Sequence, residues 1–106
     1  MKTLTALSAA LLSAVLATPV MADEITAEES CGYQADVVAA IQAARRDRVK
    51  ERAVSEALIA AEPDWPDNYN AAIPLIAPWV YEMKMKVIRN EDLGEVWKER
   101  CLEQIQ

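Results

Sequence analysis

Two cysteines, Cys31 and Cys101, are the only thiols in the chain, and it contains no histidine. Without histidine the commonest general base is missing, and with it the Ser-His-Asp arrangement and most zinc sites. If the cysteines are bridged, no thiolate nucleophile remains. They lie far outside Cys-x-x-Cys spacing, which makes a redox pair the lesser reading. With two glycines in all, a glycine-rich phosphate loop is out of reach. An enzyme here would have to work with carboxylates, Tyr, Lys or Arg alone.

The carboxylates are many but dispersed. Glu91, Asp92 and Glu95 crowd one expected helix start, where a favourable helix-dipole arrangement accounts for them and a catalytic acid pair is the alternative. Asp64, Asp67, Asn68 and Asn70 lie in or beside a proline loop. Their oxygens would suit calcium, but the EF-hand order, its glycine and its closing glutamate are missing, and turn and cap roles explain them. Trp65 and Tyr69 in the same loop either pack over the core edge or grip a sugar or peptide. Trp65, Tyr69, Asp64 and Asp67 together make the leading candidate binding surface, because aromatics with small polar neighbours are what binding hot spots use. Arg45, Arg46, Arg48, Lys50 and Arg52 form a basic cluster. Asp47 and Glu51 are interleaved with it and offset its charge, so a solvated helix face is the simpler reading and an anion contact the sharper one. Trp79, Trp97, Tyr33 and Tyr81 sit at helical spacing and are expected in the core. No cofactor or metal ligand set is expected.

These residues have to be positioned by a small scaffold. Lys2, the uncharged run Leu4 to Ala17, Pro19 and the small-residue end Val20-Met21-Ala22 have the three parts of a secretory signal peptide. The run is too short for a stable membrane span, which needs about 20 residues. Cleavage is expected after Ala22, with residues 23–106 as a single domain and the periplasm as its first destination, the medium as its second. Cys31 lies too far beyond Ala22 to be a lipidation site. Removing Lys2 moves the net charge of −6 to about −7. This disfavours nucleic acid and anionic lipid as partners and leaves an unidentified protein partner open.

A domain of about 84 residues (106 less 22) is marginal without help. Export permits that help as a Cys31–Cys101 disulfide, worth about 4 kcal/mol for a loop of this length in the chain-entropy model. Thr26-Ala27-Glu28-Glu29 has the form of a capping box and starts a helix. Its inward face is Cys31, Ala35, Val38 and Ile41, and it runs to the mid-forties. Val49, Ala53, Val54, Ala57 and Leu58 continue as a second helix, or as one bent helix with the first. Pro63 and Pro66 make a loop. Asp67 or Asn68 caps a third helix through Ile73, Ile76 and Val80, kinked or started late by Pro74 and Pro78. Met83 to Val87 is read as helix end and loop. Asn90 caps the last helix, whose stripe is Leu93, Val96, Trp97, Cys101 and Ile105. The fold class is therefore all-α: a bundle of three to four helices whose first and last members are joined by the disulfide.

Cys31, Arg45, Val80-Tyr81 and Cys101 in this order resemble the layout of small exported helical proteins of unknown function from proteobacteria and some of their phages. In those proteins a Cys opens the first helix, an Arg segment follows, an apolar-Tyr step ends the middle helix and a second Cys closes the last. The resemblance implies a disulfide-closed helical domain and carries over no activity. The Arg segment of that family usually continues into a glycine, whereas this chain has Asp47-Arg48-Val49. In physical outline alone the chain is also similar to acid-stress chaperones of the periplasm. The expected function is a non-catalytic binding or interaction module. The alternatives are an acid- or envelope-stress chaperone and a partner or inhibitor of a cell-wall enzyme.

Overall fold

Thr26 starts the first helix through both halves of the capping box. Its Oγ1 accepts from the Glu29 amide at 3.0 Å, and its own amide donates to Glu29 Oε1 at 3.2 Å. A computed structural model describes residues 24–106; the signal-peptide reading falls on residues outside that range. Five helices follow: α1 (Ala27–Arg46), α2 (Glu51–Ala60), α3 (Ile73–Tyr81), α4 (Met85–Asn90) and α5 (Leu93–Gln104), with a 3-10 segment at Asp67–Ala72 before α3. No strand occurs among the described residues. The disulfide joins Cys31 of α1 to Cys101 of α5 across a Cα separation of 5.6 Å. The bundle is all-α as expected, with five helices rather than three or four: the chain breaks between α1 and α2, an option the sequence left open, and again to make α4 where helix end and loop were expected.

The first break separates α1 from α2. Arg48 has φ 66°. Its amide donates to the Arg45 carbonyl at 3.1 Å, and the Val49 amide donates to the Ala44 carbonyl at 2.9 Å. This is a Schellman ending, usually built on glycine, since a left-handed residue with a Cβ costs about 1–2 kcal/mol. Arg48 therefore holds the position that glycine usually fills. Glu62, φ 52°, is likewise left-handed after α2 and donates to the Ile59 carbonyl at 3.0 Å, but Pro63 has no N–H to complete the second bond. Of the stripe expected on α2, Val54 is buried and Leu58 half-buried, while Ala53 and Ala57 face water.

The second break creates α4. Met85 opens it after Lys84 rather than lying in loop, and Met83, Met85 and Val87 pack against the core cluster. Asn90 is the last residue of α4 and does not cap the final helix. Asp92 does so, its carboxylate accepting from the Glu95 amide at 3.0 Å. Before α3, Pro66 occupies the cap position of the 3-10 segment without a side-chain cap, so neither Asp67 nor Asn68 serves there. The late start expected from Pro74 is found. The proline sits in the first turn of α3, where its missing N–H is no loss.

Gln42 locks the α4–α5 corner onto α1. It is 5% exposed. Its Nε2 donates to the Ile88 carbonyl at 2.8 Å and the Glu91 carbonyl at 2.7 Å, and its Oε1 accepts from the Leu93 amide at 3.1 Å. One side chain thereby satisfies backbone groups at the end of α4 and the start of α5 that the helices leave unpaired. Around it lies the core: Val37, Val38 and Ile41 of α1 against Ile73 and Val80 of α3 and Ile88 of α4. Tyr81 ties the far end of α3 to the α1–α2 turn by donating to the Val49 carbonyl at 2.6 Å. Burial raises its phenol pKa, with Arg45 acting in the opposite direction and Glu51 in the same one.

Candidate binding surface

The proline loop is part of the scaffold. Trp65 is 7% exposed, and its indole N–H donates to Asn70 Oδ1 at 2.8 Å. Tyr69 is half-buried, tilts against Tyr33 with ring centroids 5.4 Å apart, and donates to Ser30 Oγ at 2.8 Å. Both aromatics therefore spend their polar atoms holding the loop together and onto α1. Asp64 and Asp67 stay exposed beside them. No group of three or more His, Cys, Asp or Glu is placed to hold a metal ion among the described residues.

The basic cluster divides. The Arg45 guanidinium lies 5.4 Å over the Tyr81 ring, with its Nε buried and unpartnered. Arg46 Nη2 donates to the Ile88 carbonyl at 3.2 Å. These two serve the fold, whereas Arg48, Lys50 and Arg52 are exposed.

Two clefts flank the pair formed by α1 and α5. On one side a cleft of about 420 Å³ is lined by Glu29, Asp36, Asp92 and Glu95 over a floor that includes Gly32 and Gly94, with Lys98 as the cation. Gly94 allows this approach. A Cβ there would sit 2.9 Å from the Ala35 carbonyl oxygen, a backbone atom. Glu95 and Asp92, suspected as an acid pair, are exposed here, and the Asp92 carboxylate is engaged as the α5 cap.

On the other side a cleft of about 370 Å³ lies between Trp79 of α3 and Trp97 of α5, with Gln34, Arg100, Cys101 and Ile105 among its lining. The indoles tilt at 60° with centroids 5.5 Å apart. Trp97 Nε1 donates to Gln34 Oε1 at 2.9 Å, and Gln34 Nε2 donates to Ser30 Oγ at 3.1 Å. Both indoles are half-buried. Their expected place in the core holds for one side of each ring system only. The apolar surface continues beyond the cleft. Leu75, one turn before Trp79 on the same edge of α3, is 79% exposed, and Ile105 is 45% exposed.

Leu75 was left off the expected stripe of the third helix and given no role, and Ile105, expected on the stripe of the last helix, is instead exposed. A signal was nevertheless present. From Ile73 to Tyr81 the sequence IPLIAPWVY contains no charged residue, and a helix without a polar face is expected to be covered all round. Here only Ile73, Ile76, Ala77 and Val80 are buried.

Comparison with protein-family models, curated proteins and solved structures finds no match to the chain. The chemistry available on the aromatic flank is therefore read from its own residues: apolar contact over two indole faces, Leu75 and Ile105, with one guanidinium at the edge.

Proposed function

We propose that the chain is a non-catalytic binding module that engages a protein partner through the α3–α5 face rather than through the proline loop. The observation that carries this reading is Leu75, 79% exposed on an uncharged helix beside the Trp79–Trp97 cleft. Large exposed apolar side chains grouped on a charged protein mark interaction sites. Two indoles fixed by packing lose little freedom when a partner covers them.

The place of action is the periplasm in this reading. Lys2, the apolar run to Ala17 and Val20-Met21-Ala22 support export, and a disulfide suits an oxidising compartment. Among the described residues no helix is long and apolar enough to cross a membrane. An intact mass beginning at Asp23 is expected for material recovered from outside the cytosol; a mass including Met1 to Ala22 would refute cleavage.

Affinity capture with the wild type, Leu75→Ser and Trp65→Ala tests the surface. Partners should be recovered by the wild type and by any folded Trp65→Ala, and lost by Leu75→Ser. Equal recovery by the wild type and Leu75→Ser counts against the α3–α5 face. The same exposed apolar face favours a stress chaperone as the second reading. Suppression of client aggregation at low pH but not at neutral pH would select it.

A further inference from the structure

We propose that the Trp79–Trp97 cleft seats a segment of a partner protein carrying an apolar anchor side chain next to a carboxylate, and that Arg100 reads the carboxylate. This rests on the binding reading above and names the chemistry of its partner.

The shape favours a polypeptide segment. At about 370 Å³ the cleft is near the small end of ligand sites. Leu75 extends the apolar strip along α3, outside the cleft lining, and is 79% exposed. A small ligand filling the cleft would leave Leu75 in water, whereas a peptide laid along α3 covers both.

The polar groups favour an acid. The Trp97 indole N–H is committed to Gln34, so Trp97 offers its ring face to an incoming side chain rather than a donor. Arg100 is exposed and is the one charged residue in the lining. Its guanidinium presents a planar fork of donors suited to a carboxylate. Glu29, Asp36, Asp92 and Glu95 line the cleft on the opposite flank, and Glu91 lines another at the α4–α5 corner. Glu99 and Glu103 stand beside Arg100 on α5 but outside the lining. On a chain of net charge −6, a partner's carboxylate is repelled from most of the surface and finds a cation here, which sets its register.

A second copy of the chain fits less well. A two-fold contact presents the same patch from both sides. This lining holds a cation and no carboxylate, so in a symmetric pair neither cleft itself supplies a carboxylate to the other's Arg100.

The test uses the isotopically labelled, disulfide-bonded chain and two probes, acetyl-Ser-Leu-Glu-Leu-Leu-Ser-amide and its Gln counterpart, followed at the Trp79 and Trp97 indole N–H resonances. The Glu peptide is expected to bind about tenfold more tightly at low salt, equivalent to about 1.4 kcal/mol. Arg100→Gln should bring the ratio to about one. Equal affinities in the wild type, or a ratio that survives Arg100→Gln, overturn the assignment of Arg100. If Leu75→Ser then weakens both peptides equally, the binding surface itself stands. No saturable shift with either peptide overturns the inference, and the capture experiment alone then judges the binding reading. A dimer by sedimentation that dissociates in Leu75→Ser would give the face to a second copy and overturn it as well.

Discussion

On one flank of α5, Gly94 brings the helix onto the Ala35 carbonyl, and carboxylates line the resulting cleft. On the other, two indoles hold α3 and α5 apart, and Leu75 and Ile105 remain in water. The first flank is closed by backbone approach, with no large apolar side chain left over. The second is closed by large rings that only partly cover one another. The same helix thus packs fully toward α1 and incompletely toward α3. The incomplete side is where a partner has apolar surface to remove from water, at roughly 25 cal/mol per Å².

Five variants probe that contrast. The largest effect is expected from removing the disulfide, which holds both flanks at once. Cys31→Ser with Cys101→Ser should lower unfolding stability in urea by about 4 kcal/mol, the value for a loop spanning a sequence separation of 70. A loss below about 1 kcal/mol would mean that the flanks hold the pair unaided. Gln42→Ala should cost about 3 kcal/mol, because it strands the Glu91 carbonyl and the Leu93 amide and leaves the Ile88 carbonyl with Arg46 alone. Its unfolding midpoint should fall with the m-value unchanged.

Gly94→Ala should cost about 2 kcal/mol by forcing α5 off α1. An unchanged melting temperature would show that the close approach is not needed. Gly32 lies on the same acidic flank, yet a Cβ there meets nothing within 4 Å. Gly32→Ala should therefore stabilise α1 by up to about 1 kcal/mol, and opposite signs at the two glycines would separate contact from mere proximity to the cleft. The smallest effect belongs to the aromatic flank. Leu75→Ser, at a position 79% exposed, should change stability by less than about 0.5 kcal/mol. A loss of 2 kcal/mol or more would make Leu75 part of the fold and remove the reason to assign it a partner.

Much of the scaffold was legible in residue types. Thr26 and Glu29 announce the start of α1, Pro63 and Pro66 a loop, Pro74 a late start for α3, and the two cysteines the link between first and last helices. The α1–α2 break was not, since Arg48 adopts a conformation its side chain disfavours. The α4 helix was hidden because Met83, Met85 and Val87 alternate with lysines over too few residues for either period to win. The proline loop drew attention for its aromatics, yet Asn70 and Ser30 supply the partners that turn Trp65 and Tyr69 into supports.

By itself the sequence determined the class of elements, the covalent closure and the chemistry that is missing, because capping, proline geometry and residue inventory act over a few neighbours or none. Tertiary structure alone decided which apolar residues are covered. Periodicity orients a residue about its own helix axis, but whether water is excluded depends on helices distant in the chain. So Leu93 is buried and Ile105, assigned to the same stripe of the last helix, is not. Gln42 shows the same dependence in polar form: its three partners lie 46 to 51 residues away, and nothing near it in the chain says that a corner will be built there.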